Sequence, residues 1–110
     1  MLEFSAMLEV TFPGQGVAAE GYPLRPGRTF SMGRRADCDL HVPGLMAGTL
    51  NLLIKTDEAG RSVLRHTGHM FPILVNGRPM AREHALSDGD VVEPVDNRGQ
   101  ITVRLTYRRP

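Results

Sequence analysis

Glycine and proline recur along the whole chain and set the first limit on what it can fold into. The 110 residues include 12 glycines and 8 prolines, so turn-forming residues interrupt every segment before a long helix can develop. No stretch places apolar residues at the i, i+3, i+4, i+7 spacing between good helix caps. The sequence therefore predicts a chain of short β-strands.

The segments between these turns are rich in strand-forming residues. The predicted strands are residues 7–12, 21–24, 29–32, 40–42, 50–56, 62–66, 72–75 and 101–107. Residues 50–56 are the most apolar, and we expect them at the centre of a sheet.

Asn76-Gly77 favours a type I′ hairpin with strands paired on either side. Turns recur about every ten residues, as in a β-sandwich or small barrel. Because no repeat or linker breaks this pattern, residues 7–109 are predicted to form one domain after an N-terminal tail of residues 1–6.

Composition indicates a domain that needs neither a membrane nor stabilising disulfides or metal ions. The chain is 41% hydrophobic and has no apolar run near the ~20 residues of a membrane-spanning helix. A domain of this size buries roughly 60 to 70% of its unfolded surface, enough for a core without disulfides or metal. Cys38 is the single cysteine, so no disulfide closes within the chain, which favours a reducing compartment. The first residues lack the pattern of a secretory signal, and we expect a cytoplasmic protein.

Charge is balanced along the chain. There are 13 lysines and arginines against 12 aspartates and glutamates, with five of each sign in residues 1–55 and eight against seven in residues 56–110. Nucleic acid and membrane surfaces attract proteins with clustered positive charge. The sequence therefore predicts no nucleic-acid partner and no direct membrane insertion.

The order of the turn motifs resembles that of a known family, the forkhead-associated (FHA) domains. The motifs that carry the resemblance are, in chain order, Gly27-Arg28, Gly33-Arg34, Cys38-Asp39-Leu40, Val75-Asn76-Gly77 and Leu86-Ser87-Asp88-Gly89-Asp90-Val91-Val92. The resemblance covers about residues 21–107. It implies an all-β fold, an FHA-like β-sandwich of about eleven short strands, whose loops at one end bind a phosphothreonine peptide in the family. Four residues are expected to act as structural turn residues, through positive φ or close backbone approach: Gly33, Asn76, Gly77 and Gly89.

The residues that bind phosphothreonine in the family are only partly present. Arg34 matches the arginine of the family's Gly-Arg pair; its guanidinium suits a phosphate, and the alternative is a surface ion pair. The segment that corresponds to the family's Ser-Arg-x-His motif, about residues 47–50, lacks all three residues and offers only the hydroxyl of Thr49. Phe71 stands where the family has an asparagine that holds the peptide backbone, and Pro72 beside it lacks an amide donor. The resemblance thus implies an FHA scaffold with a degenerate phosphothreonine site.

Apolar residues stand where the recognition loops of the family are polar. Leu45-Met46 occupy one such loop, and Met70-Phe71-Pro72-Ile73, directly after His69, occupy another. His69, Met70 and Phe71 are candidate partner-binding residues. Apolar loop tips often mark a protein interface, although they equally suit side chains that fold inward and cap the sandwich. We therefore predict a non-catalytic protein-protein interaction or scaffold module that binds a protein partner, or a second copy of itself, without requiring phosphate. The resemblance also implies a role in a bacterial secretion or signalling assembly. The alternative is a phosphothreonine-binding domain with an atypical pocket built on Arg34, Thr49 and Thr67.

The histidines suggest a third class of function, a metal site or a small enzyme. His66 and His69 stand three residues apart, and imidazole is a good zinc ligand. However, residues 67–68 predict a turn between them, and no second pair of ligands completes a tetrahedral site. Ser87 has no neighbouring base to activate it as a nucleophile. We expect no bound metal, no cofactor and no catalytic activity.

Overall fold

Eleven strands form the described part of the chain. The structure is a computed structural model and describes residues 6–14, 19–42, 52–67, 72–96, 98–101 and 103–109. The strands are Ala6–Thr11 (β1), Glu20–Leu24 (β2), Thr29–Gly33 (β3), Leu40–His41 (β4), Leu52–Thr56 (β5), Ser62–His66 (β6), Ile73–Val75 (β7), Arg78–Pro79 (β8), Glu83–Ala85 (β9), Val91–Pro94 (β10) and Arg104–Arg108 (β11). Within these ranges no helix is long and apolar enough to cross a membrane. The predicted all-β fold is confirmed, and β1 begins at Ala6, one residue inside the segment expected to be a tail.

The strands form two sheets. A six-stranded sheet has the order β2-β1-β11-β10-β7-β8, and a five-stranded sheet has the order β4-β3-β5-β6-β9. Neighbouring strands are antiparallel except β3 and β4, which are parallel. β5 lies at the centre of the five-stranded sheet, between β3 and β6, as its apolar sequence predicts. The two sheets pack face to face as a β-sandwich, because each has one apolar face to bury.

The core lies between the sheets and follows the alternation of each strand. In β1, for example, Ala6, Leu8 and Val10 are buried while the residues between them are partly exposed, since successive side chains point to opposite faces of a sheet. The largest fully buried side chains are Tyr107, Leu8, Met32, Leu52, Ile54, Leu64, Ile73, Leu105, Val10, Val92 and Val103. These residues come from both sheets, so one core stabilises the whole sandwich.

The hairpin predicted at Asn76-Gly77 is present. β7 and β8 pair across it, with Val75 opposite Arg78. Asn76 has φ 53° and Gly77 has φ 83°, the pair of left-handed residues that a type I′ turn requires.

The other two glycines expected in structural turns differ from each other. Gly89, in the connection between β9 and β10, has φ 88°. Gly33 is not among the described residues with positive φ; it is the buried last residue of β3. There its backbone meets the parallel strand β4, since Gly33 pairs with His41 and its carbonyl accepts a hydrogen bond from the Val42 amide at 2.9 Å.

Strand pairing defines the two ends of the sandwich. Met32 pairs with Leu52, which in turn pairs with His66, so β3 and β6 finish at the same end. We call this the loop end. The opposite end carries the Asn76-Gly77 turn and the turn from β9 to β10, because Leu86 donates its amide hydrogen bond to Ser62 at the start of β6. We call this the turn end.

Candidate functional site

Arg34 lies at the loop end, where the family resemblance places it. It directly follows Gly33 and is exposed. Within the described ranges Arg34 has no ion pair, whereas its neighbour Arg35 forms one with Asp37 at 2.8 Å. The surface ion pair considered for Arg34 is thus formed by the next residue, and the Arg34 guanidinium faces solvent.

Of the other predicted recognition residues, only Thr67 falls in the described part of the chain. It follows the last residue of β6 and is half-buried. β3 and β6 both neighbour β5, so the strands that carry Arg34 and Thr67 are about 10 Å apart, two strand spacings. The remaining predicted residues, Thr49, His69, Met70 and Phe71, lie outside the described residues. The structure therefore brings Arg34 and Thr67 to one end of the sandwich.

The loop that follows Arg34 is fixed by an aspartate. The Asp39 carboxylate accepts hydrogen bonds from the Ser31 amide at 2.8 Å and the Ser31 hydroxyl at 3.2 Å, and the Ser31 hydroxyl accepts one from the Asp39 amide at 3.1 Å. These bonds tie the residue before β4 back to the middle of β3. In the sequence Asp39 stands only as part of a motif, and this role could not be predicted there, because nothing local connects two residues eight positions apart.

Asp90 is the centre of a polar cluster at the turn end. Its buried carboxylate accepts hydrogen bonds from the Asn76 amide group at 2.9 Å and the Ser87 backbone amide at 2.9 Å, and its Oδ2 lies 3.1 Å from Nε2 of His84. The Asn76 side-chain oxygen in turn accepts the Val91 amide at 3.0 Å. The cluster therefore locks the β7–β8 turn onto the β9–β10 turn.

These contacts set the charge state of Asp90. Burial disfavours the carboxylate, but the hydrogen bonds from Ser87, Asn76 and His84 outweigh it, so the pKa of Asp90 lies below its ordinary value of 3.8. The group is therefore a carboxylate at neutral pH. A carboxylate whose partners all belong to the fold stabilises two turns and has little capacity left for a ligand.

A second buried polar chain lies beside this cluster. The Tyr107 hydroxyl donates to the Ser62 hydroxyl at 3.0 Å, and the hydroxyls of Ser62 and Thr56 lie 2.9 Å apart. All three residues are almost completely buried. The buried polar side chains of the turn end thus form hydrogen bonds with one another, as buried polar groups generally do.

The two predicted metal ligands, His66 and His69, are not both among the described residues. In the part of the chain that the structure describes, no three His, Cys, Asp or Glu side chains converge to hold a metal ion. His66 ends β6, and His69, the second predicted ligand, lies outside the described residues.

Comparison with known proteins identifies the fold. No protein-family model and no curated protein matches the chain. An FHA domain from Chlamydia trachomatis superposes with a TM-score of 0.78 at 17% identity, covering 96% of this chain and 98% of that chain. An N-terminal FHA domain from S. cerevisiae, in complex with a phosphothreonine peptide, gives 0.75 at 14% identity with 94% of each chain covered. The FhaA FHA domain, complexed with the intracellular domain of another protein, gives 0.70 at 26% identity, covering 94% of this chain and 100% of that one.

These likenesses span nearly the whole chain and agree with the order of the turn motifs. The chain has the fold of a forkhead-associated domain.

Proposed function

We propose that this chain is a non-catalytic protein-protein interaction module of the FHA type, which binds its partner at the loop end without requiring phosphate. Two of the comparison domains are in complexes, one with a phosphothreonine peptide and one with a domain of another protein. The observation that carries the proposal is the set of residues at the loop end. Arg34 is exposed there, but the corresponding positions of this sequence lack the serine, arginine and asparagine that accompany it in the family pattern.

The energetics of phosphate binding favour a phosphate-independent partner. A phosphothreonine carries close to two negative charges, and holding it in water requires several charge-assisted donors acting together. One exposed arginine contributes about 1 kcal/mol or less, and salt screens it. Each missing family donor would have added roughly 1 to 3 kcal/mol. Because ~1.4 kcal/mol is a factor of ten in affinity, their loss weakens a micromolar complex to the millimolar range or beyond.

We further propose a setting for the module: the cytoplasm, within a bacterial secretion or signalling assembly. FHA-like domains that have lost their phosphate-binding residues occur in scaffold proteins of such machines. The balanced charge of this chain, 13 basic against 12 acidic residues, favours a protein partner over nucleic acid.

One observation favours a second candidate, a phosphothreonine-binding domain with an atypical pocket. Arg34 has no ion pair among the described residues and shares the loop end with Thr67. Such a guanidinium is available to an anion, and threonine hydroxyls at 49 and 67 would supply the remaining donors.

Calorimetry with a degenerate library of threonine-phosphorylated peptides and its unphosphorylated twin separates the two candidates. We expect equal, weak heats from both libraries. We also expect Arg34→Ala to leave capture of the cellular partner intact, while Phe71→Ser or Met70→Ser reduces it; Arg28→Ala, at the turn end, is the matched control. Micromolar affinity for the phosphorylated library that Arg34→Ala abolishes would establish the second candidate instead.

A further inference from the structure

The outward faces of the two sheets carry both paired and unpaired basic residues in the described part of the chain. Three outward arginines are paired with a carboxylate on the neighbouring strand: Arg65 with Glu83 at 3.1 Å, Arg104 with Glu93 at 2.8 Å and Arg108 with Glu9 at 3.2 Å. Lys55, also outward and exposed, has no such partner within the described ranges. Across the strands its neighbours are Thr29 and Val63. The five-stranded sheet therefore presents an unsatisfied positive charge next to an apolar residue.

This charge borders a shallow groove on the outer face of the five-stranded sheet. The groove has a volume of about 360 Å³ and is lined by Thr29, Leu53, Lys55, Val63, Arg65 and Glu83; we call it the outer groove. Val63 is 37% exposed, and it is the large hydrophobic residue left exposed in the described part of the chain. Apolar surface at the centre of a polar rim is the usual anatomy of a protein interface.

The strand register arranges the groove as a checkerboard. Leu53 lies opposite Arg65, and Lys55 lies opposite Val63. Each apolar side chain therefore faces a cation across the strands, while Glu83 already neutralises Arg65. The side chains that line the groove carry two positive charges and one negative, so its net charge is +1.

We propose that the outer groove is a docking surface for a partner protein that presents an apolar side chain flanked by a carboxylate. The apolar side chain would cover Leu53 and Val63, and the carboxylate would pair with Lys55. A second copy of this chain fits less well, since two grooves of net charge +1 would face each other. The inference rests on the proposed function in that it gives the chain a protein partner, but its surface is a sheet face and not the loop end that carries Arg34.

A pair of capped peptides tests this proposal, one with a central Glu-Phe-Glu and one with Lys-Phe-Lys. Titrated into the ¹⁵N-labelled protein, the acidic peptide should give saturable NMR shifts centred on Leu53, Lys55 and Val63. The basic peptide should bind at least about threefold more weakly, the factor that one moderate ion pair provides. Lys55→Glu should reverse this preference. Val63→Ser removes apolar surface without adding charge, and it should weaken the binding of both peptides. Because Lys55 is exposed, Lys55→Glu should leave the unfolding midpoint nearly unchanged. Val63→Ser should lower the midpoint only slightly, since Val63 is partly exposed.

Arg78→Glu is the charge-matched control, since Arg78 is exposed on β8 in the other sheet, and it should leave both titrations unchanged. Equal binding of the two peptides, shifts centred elsewhere, or no saturable shift at millimolar peptide would overturn the proposal. Self-association that Val63→Ser abolishes would assign the groove to a second copy and overturn it too. The proposed function fails on a different result, phosphorylation-dependent binding through Arg34, so the two failures are distinguishable.

Discussion

The two ends of the sandwich use polar residues in opposite ways. At the turn end, the side chains of Asn76, Asp90 and Tyr107 all form hydrogen bonds within the fold. At the loop end, Arg34 faces solvent without an ion pair in the described part of the chain. The polar side chains of the turn end are therefore occupied by contacts within the fold, while Arg34 at the loop end has no ion pair among the described residues. We expect substitutions at the turn end to change stability and those at the loop end to change binding.

Removing the carboxylate of Asp90 should have the largest effect on this contrast. Asp90→Ala leaves the donors of Asn76, His84 and Ser87 without their acceptor, and we expect a loss of about 3 kcal/mol in the free energy of unfolding. Asp88→Ala is the control in the same turn, because the exposed Asp88 carboxylate accepts a single backbone hydrogen bond, from Arg109. Urea denaturation measures both, and equal losses for the two variants would show that Asp90 has no special role.

Gly77→Val should be the next most damaging change. A Cβ at Gly77 would meet no heavy atom within 4 Å, so the cost comes from the backbone: a β-branched residue is forced to φ 83°, at about 1 to 3 kcal/mol. Gly77→Asn should retain most of the stability, because asparagine tolerates the left-handed region. Thermal unfolding of both variants checks this, and a Gly77→Val protein as stable as the parent would contradict the strain at this turn.

A smaller loss is expected from Tyr107→Phe, about 1 to 2 kcal/mol, since it removes one buried hydrogen bond and keeps the ring. The hydroxyls of Ser62 and Thr56 remain paired with each other, which limits the cost. Tyr22→Phe removes an exposed hydrogen bond to Glu20 and should be close to neutral. If the two variants had the same urea midpoint, burial of the Tyr107 hydroxyl would not contribute to stability.

Acidification should reduce the stability that Asp90 contributes at the turn end. The pKa of Asp90 is lower in the folded than in the unfolded state, so its contribution is full above the ordinary value of 3.8 and is lost as pH falls through the folded pKa. The stability advantage of the parent over Asp90→Asn should therefore shrink below about pH 4. Asp37 and Asp57 also have lowered pKa values, through hydrogen bonds with the Arg35 side chain and the Arg61 amide, but they are common to both proteins. An advantage that stayed constant down to the acid limit in urea titrations would contradict this.

Arg34→Ala should have the smallest effect on stability, within about 0.5 kcal/mol, as is usual for an exposed residue without an ion pair. Its unfolding midpoint should match that of Arg28→Ala, an exposed arginine at the opposite end. A marked loss of stability would show that Arg34 has a structural partner, and the contrast between the two ends would then fail.

Most of the strand pattern and the turns at Asn76-Gly77 and Gly89 could be predicted from local sequence. Asn76-Gly77 predicts its hairpin because the two residues adopt positive φ more readily than others, whatever surrounds them. The apolar sequence of residues 50–56 likewise predicts a central strand, which the structure describes as Leu52–Thr56. The environment of Gly33 could not be predicted locally, since its burial beside β4 depends on a strand pairing and not on a turn.

Local sequence is therefore enough to predict where strands run, where they turn and which of their faces are apolar. Which polar groups meet follows from the fold as a whole, because those contacts depend on register between distant segments. Tyr107 and Ser62 are 45 residues apart in the chain. Among the described residues Lys55 has no carboxylate partner, because register places Val63 opposite it. The alternation within a strand predicts that a side chain points outward. Whether its charge is neutralised depends on the neighbouring strands, so the outer groove could not be predicted from the sequence.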